Sequence, residues 1–291
     1  MSKLKVGDVV ARKSYGCDVF FKVADIRNNG KEDIVTLKGI SYRIEADAPE
    51  SDLEIQSEQK VSDYRNKCNR QVERVIRNNY PLRHRSYSKK AFYRDTPKDD
   101  HRIFSRPGKI LHLDGDEEYL ETCLSEYKKL YMDAVGRYVP EKQQPTVVYK
   151  LLEEHKPDIL VLTGHDGVIK GDKSYLNVTN YRNSRYFIEA VKEARKFEND
   201  MDSLIIFAGA CQSMYSEIIR AGANFASSPK RVLIHALDPV LVCKKISFTR
   251  VDQIISPQEV AASTITGPEG IGGLQTRGKY RDGFPEDGYK S

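Results

Sequence analysis

No stretch of this 291-residue chain approaches the roughly 18 consecutive apolar residues that a membrane-spanning helix needs, and the opening MSKLKVGD has no apolar core of the kind a secretion signal carries. The expectation is a cytoplasmic protein with no membrane partner. Cysteine is scarce: Cys17, Cys68, Cys123, Cys211 and Cys243 are odd in number, widely spaced and free of any C-x-x-C pair, which argues against a disulfide framework and a thiolate zinc site. An H-E-x-x-H arrangement is missing, and His112, His155 and His235 have no second histidine at i+4, so no metal is expected. The late run GPEGIGG, residues 267–273, lacks the Lys-Ser/Thr of a phosphate loop and reads as a mobile loop, a candidate lid. No cofactor is implied.

Charge is present but unevenly placed. The net charge is +5, yet residues 61–110 hold 14 Lys/Arg against 5 Asp/Glu, leaving the remainder net negative. Such a segment can bind nucleic acid or another polyanion, but a solvated basic connector is the simpler reading, and nucleic acid is not the favoured partner.

Three regions follow from composition and periodicity, and no internal repeat is visible. Residues 1–56 are short Val/Ile/Phe-rich runs punctuated by Gly-Asp, Asn-Asn-Gly and Lys-Gly, a pattern that predicts a small β-barrel resembling SH3-like modules. Residues 57–107 form the basic connector, helical in part over 61–76 and broken by Pro81, Pro97 and Pro107. From residue 108 to 291 strands and helices alternate. KILHL is followed by a helix over 117 to about 135 with Gly136 as its stop, and RYVP is a weak second strand. Thr146 caps a helix through His155, and ILVLTG is a third strand. A stripe of Tyr186, Phe187, Ala190, Val191, Ala194 and Phe197 marks a helix, LIIFAGA a fourth strand, QSMYSEIIRAG a helix ending at Gly222, and RVLIHAL a fifth strand. The fold class is α/β: a doubly wound, mostly parallel sheet preceded by the small barrel.

Chemistry in open parallel sheets gathers at the carboxyl ends of strands. There ILVLTG delivers His165 and LIIFAGA delivers Cys211, on consecutive strands that right-handed crossovers bring side by side. Each alone has a plain structural reading, the cysteine as a small buried hydrophobe. Together they predict a catalytic dyad, with the thiol pKa lowered by the imidazole and by the helix that Cys211 is expected to open.

Histidine precedes cysteine by 46 residues, and the nucleophile follows alanine in Ala210-Cys211. This order resembles the clan of caspases, legumains, gingipains, clostripain and separase, and disfavours glutamine amidotransferases, in which the cysteine comes first. Over the whole chain, LKVGDVVARKSYGCDVFFKV, LHLDGD, LVLTGHDG, FAGACQS, HALDPV and TGPEGIGGLQTRG together resemble the YabG-type sporulation peptidases. The resemblance implies a caspase-like fold and a cysteine peptidase with His165 and Cys211 as catalytic residues. It also implies production in the mother cell of a sporulating bacterium, spore-coat proteins as substrates and later association with the coat.

The clan's His-Gly is here His165-Asp166-Gly167, so the oxyanion donors are open among the amides of Asp166, Gly167 and Cys211. Asp166 reads as a solvated turn residue or as an orienter of the imidazole. The acid found two residues before the cysteine in clostripain and legumain is replaced by Gly209; Asp114, Asp116 and Asp238 are then the candidate substrate-binding acids, and an acid there favours cleavage after a basic residue. The Arg-rich, proline-broken segment 65–106 is an expected site of self-cleavage. Two other classes stay open: a non-catalytic spore-coat or nucleic-acid-binding protein using barrel and connector, and a small-molecule hydrolase with the same dyad.

Overall fold

Short β-branched and aromatic runs divided by turns pair residues 9–55 into one antiparallel sheet. The computed structural model of the protein describes residues 4–28, 32–78, 93–94, 103–169 and 175–283. Its first sheet contains β1 (Val9–Arg12), β2 (Phe20–Asn28), β3 (Asp33–Gly39), β4 (Glu45–Pro49) and β5 (Leu53–Ile55) in the order β4-β3-β2-β1-β5, with β4 and β5 as its edges. Alternation along these strands sends Val10, Phe21, Val23, Val35 and Leu37 into the core. The connector begins with α1 (Glu58–Asn78), longer at both ends than expected, and Tyr64 stacks on Phe20 with ring centroids 4.4 Å apart, docking the helix on the sheet. Beyond it β6 (Tyr93–Arg94) pairs with β7 (Ile103–Arg106), whereas Pro81 and Pro97 lie outside the described residues.

The second sheet is the frame of the site. β8 (Ile110–Asp114), β9 (Ala134–Tyr138), β10 (Ile159–Thr163), β11 (Ile205–Ala208) and β12 (Phe225–Ser227) are parallel, and β14 (Ile271–Gly273) adds an antiparallel edge, in the order β14-β12-β11-β10-β8-β9. Because successive strand residues face opposite ways, Ile110, Ile159, Val161, Ile205 and Phe207 share a core with α2 (Glu117–Lys129) and α6 (Asp238–Ser247). Leu111, Leu113, Leu160, Leu162 and Ile206 pack on the other side with α3 (Gln144–His155), α4 (Ser184–Phe197) and α5 (Tyr215–Arg220). Buried on both faces, these strands are near-continuous apolar runs, as expected of a parallel sheet covered by helices.

Five expectations need correction. Thr146 does not cap α3; it is the third residue of that helix, whose N-cap is Gln143. α2 stops at Lys129 because Tyr131 adopts a left-handed backbone with φ 56°, and residues 134–138 are strand. Gly136 is no helix stop; it leaves room for Leu120 and Leu124 of α2, which a side chain there would strike. RVLIHAL is not a strand of this sheet. The fifth strand is β12, and His235 instead bridges antiparallel to Tyr42 of the first domain. GPEGIGG is a short helical turn followed by edge strand β14, not a lid, its glycines leaving space for Tyr215 and Phe225. Near the carboxyl end, β13 (Ile254–Ile255) pairs with β15 (Thr276–Arg277), α7 (Pro257–Ala262) lies between them in sequence, and β16 (Arg281–Gly283) pairs with β7.

Phe187 is fully buried where α4 meets the sheet, while Arg185 is exposed. Phe187→Ala is expected to destabilise the fold by about 3–5 kcal/mol, against less than about 0.5 kcal/mol for Arg185→Ala. Denaturant unfolding of the two variants checks this.

Candidate active site

His165 follows the end of β10, and its backbone amide donates to Glu141 Oε1 at 2.7 Å. Gly115 and Gly164 make that possible, since a side chain at either would collide with the Glu141 carboxyl group. The imidazole lies against Tyr119, with ring centroids 5.2 Å apart, and its Nε2 is 2.8 Å from Asp116 Oδ2. Asp116 is itself fixed as the N-cap of α2, accepting from the Tyr119 amide, with Lys38 Nζ 3.4 Å away. Burial works against its charge, but the adjacent His165 holds the carboxyl well below the ordinary carboxylate range. With the Nε2–H given to the carboxylate, the free lone pair of the ring lies on Nδ1. Nδ1 is buried and has no hydrogen-bond partner among the described residues.

Cys211 lies three residues past β11 in a sharp turn, with Gly209 at φ 108° and Gln212 at φ 56°. The position at Gly209 is closed in by Ile218, Ser213 and Ser227. Asp166 pins this turn: its Oδ2 accepts from Ser184 Oγ at 2.5 Å and Ser213 Oγ at 2.9 Å, and its Oδ1 from the Gly167 and Asn183 amides. Ser213 in turn accepts from the Ala210 amide at 2.9 Å. Asp166 is thus buried, neither a solvated turn residue nor a partner of the imidazole, and the Gly167 amide is engaged by it. Nor does Cys211 open a helix, because α5 begins at Tyr215. Its Sγ accepts from the Ile234 amide at 3.0 Å, no hydrogen bond joins it to His165, and burial pushes the thiol pKa up, the reverse of the expected shift.

The three candidate acids separate. Asp116 serves the imidazole. Asp238, the first residue of α6, is sealed under residues 265–266, accepting from the Ile265 amide at 2.7 Å and from Thr266, and burial raises its carboxyl to about 6. Asp114, at the end of β8, is also fully buried and holds Arg43 Nη1 at 2.8 Å. Thr163 Oγ1 and the Asp116 amide donate to the same carboxylate at 3.0 Å each. Burial would raise Asp114, but the Arg43 charge overrides it and lowers the carboxyl to about 2. Burial alone would lower Arg43, and Asp114 reverses that too, keeping the guanidinium charged. Arg43 Nη2 donates to the Ala236 carbonyl at 2.9 Å, and the guanidinium lies 5.1 Å from the Tyr119 ring centre. Arg43 comes from the loop between β3 and β4, and nothing in the local pattern YRIEAD marks it as a resident of this cleft.

Among the described residues no three His, Cys, Asp or Glu side chains are grouped to hold a metal ion, and no helix is long and apolar enough to cross a membrane. The family model described as YabG peptidase U57 matches residues 5–285. The chain is 43% identical over 295 residues to the sporulation-specific protease YabG of Bacillus subtilis (strain 168), with 99% of each chain covered. No solved structure matches the chain.

Replacing Asp114 by Asn leaves the buried Arg43 charge without its counter-ion and is expected to cost about 3–5 kcal/mol at pH 7. The folded pKa of Asp114, about 2, lies below its ordinary value of 3.8. Its stabilising contribution is therefore complete above about pH 4 and is lost as pH falls toward about 2. The stability gap between wild type and Asp114→Asn should narrow over that window in denaturant titrations; a constant gap would show that the carboxylate charge is not what holds Arg43.

Proposed function

Because the chain belongs to the YabG peptidase family, whose curated relative is a sporulation-specific protease, we propose that this peptidase is a cysteine endopeptidase with Cys211 as nucleophile and His165 as general base. One observation carries the reading: the imidazole is fixed through Nε2 by Asp116 and keeps a buried, unpartnered Nδ1, at the strand exit next to the one that delivers Cys211. In this scheme the thiol proton passes to Nδ1, Asp116 stabilises the imidazolium, and the sulfur attacks the peptide carbonyl. The oxyanion is taken by the Cys211 amide, with the Asp166 amide as the second candidate, since the Gly167 amide donates to Asp166 Oδ1.

Specificity in this reading rests on Asp114. A buried, ionised carboxylate that already holds one arginine selects a substrate that brings its own positive charge, so cleavage follows Arg or Lys. The wider assignment is a caspase-like peptidase domain over 108–291, an SH3-like barrel over 1–56 and a connector over 57–107. Its substrates are spore-coat proteins, met in the mother cell and then at the coat.

Cys211→Ala and His165→Ala should each abolish cleavage of Arg-containing peptides with the fold retained by circular dichroism, while Cys17→Ala and Cys68→Ala stay active. Asp116→Asn should lower kcat by roughly 100-fold or more, because the imidazole loses both its orientation and its counter-charge. Asp114→Asn should erase the preference for Arg over Gln before the cut. Retained cleavage by Cys211→Ala would sink the mechanism; retained Arg preference in Asp114→Asn would sink the pocket.

A further inference from the structure

The loop that carries Arg43 does more than fill a pocket. Residues 41–45 pass between the 234–236 segment and Asp166 and are bonded on both sides, with a tight turn about Arg43 in which the Ile44 amide donates to the Tyr42 carbonyl at 2.8 Å. The Ala236 amide donates to the Ser41 carbonyl at 3.0 Å, and the Arg43 amide donates to the Ile234 carbonyl at 2.9 Å, making Tyr42 and His235 an antiparallel bridge. On the opposite wall the Glu45 amide donates to the Asp166 carbonyl at 3.4 Å, and Ile44 bridges Asp166 in parallel. Main-chain bonds on both sides of a segment, with a buried partner for one side chain, are the means by which a protein edge grips a peptide.

Two further coincidences fix where along this peptide the chemistry falls. The Arg43 side chain occupies the Asp114 pocket, and the Arg43 carbonyl oxygen accepts from the backbone amide of Cys211 at 3.2 Å. A carbonyl aimed at the nucleophile's own amide occupies the position of the developing oxyanion. A purely structural strap needs an ion pair or a strand pairing, but has no reason to combine them with that carbonyl position. The loop is presented in this shape by the β3–β4 hairpin: Gly39 donates its amide to the Ile44 carbonyl at 3.0 Å, a turn in which a side chain at Gly39 would strike the Tyr42 carbonyl, and the Tyr119 hydroxyl donates to Tyr42 O at 2.8 Å.

We propose that residues 41–45 are a tethered substrate of the enzyme's own active site, and that the Arg43–Ile44 peptide bond is the first bond the chain cuts. The proposal rests on the Cys211/His165 reading above. Cys211 gives its proton to His165, and its sulfur bonds to the Arg43 carbonyl carbon. The C–N bond to Ile44 breaks, with the proton passing to the Ile44 amine. Water then hydrolyses the thioester, leaving an Arg43 carboxylate and a restored thiol. Until that happens the cleft is closed to other chains and the thiol stays sealed and protonated. Self-cleavage is thus placed at the barrel loop before the connector, where it was expected from composition over residues 65–106; of those, 79–92 and 95–102 lie outside the described residues.

The test follows freshly purified full-length protein by intact mass and amino-terminal sequencing, beside its cleavage of a fluorogenic peptide with Arg before the leaving group. Wild type should yield a new chain beginning at Ile44 with a rate independent of protein concentration; Cys211→Ala and Arg43→Gln should not. Peptide cleavage by wild type should show a lag that tracks the appearance of that terminus. Arg43→Gln, if folded by circular dichroism, should start without a lag and about tenfold faster or more, as removal of a competing bound state requires. A wild-type chain that cuts the peptide while residues 43 and 44 stay joined, or that is nicked first in the connector, overturns the proposal and leaves the mechanism standing. The same Ile44 terminus from Cys211→Ala also overturns it. Failure to cut both itself and the peptide removes the cysteine-peptidase reading and the proposal with it.

Discussion

A guanidinium from the first sheet and a carboxylate from the second, both fully removed from water, bind the two halves of this protein together. Taking either ion into the interior alone costs several kcal/mol, so neither Arg43 nor Asp114 belongs where it is without the other. The neighbours divide that cost unequally. Asp114 is well served by Thr163 and the Asp116 amide, whereas Arg43 has two of its nitrogens on acceptors but a buried Nε with none. The carboxylate is thus the better-satisfied partner, and the guanidinium the less completely matched one.

The same burial governs the thiol. A nucleophilic cysteine ordinarily gains reactivity from a helix dipole or a cationic neighbour. Here α5 begins too late to help, and the loop above Cys211 excludes the water that would solvate a thiolate, so the neutral form is favoured. The imidazole is already prepared: Asp116 holds Nε2 whether or not anything lies in the cleft. In the proposed scheme, readiness of the base and dormancy of the nucleophile coexist, and the difference between them is the covering segment 41–45.

Much of this frame was legible in the sequence. Apolar runs without polar alternation marked β8, β10 and β11 as strands buried on both faces, and the breaks after them put His165 and Cys211 at neighbouring exits. What escaped was whatever depends on partners far along the chain. RVLIHAL has the composition of a sheet strand because it does pair, but with a loop nearly 200 residues earlier. GPEGIGG has the glycine content of a mobile loop because Tyr215 and Phe225 need the space that side chains would take. Asp114 and Asp116 are two residues apart and look interchangeable in LHLDGD, yet one lies within the β8 pleat and the other caps α2, so they face different groups. Arg43 gives no local sign at all: its role is defined entirely by Asp114, Ala236 and Cys211.

One constraint couples these parts. Besides Arg43–Asp114, the ion pairs among the described residues that join the first domain to the second include Lys22 with Glu118, Lys38 with Asp116, and Arg182 with Glu45 and Asp47, all at least partly open to solvent. Exposed pairs of this kind contribute little each and are screened by salt. Among the ion pairs, the sealed contact at Arg43 is the one least open to solvent, and it sits beside the apolar cluster that Ile44 and Leu37 share with Ile110 and Val161. If residues 41–45 do occupy the substrate site, then by linkage whatever draws the first domain away frees that site, and whatever binds there loosens the first domain to the same extent. Breaking the chain after Arg43 would not by itself separate the pieces, since β3 stays paired with β4 and β1 with β5 on either side of the cut. It would convert a tethered occupant into one that exchanges, and a cleft whose occupant exchanges can accept another chain.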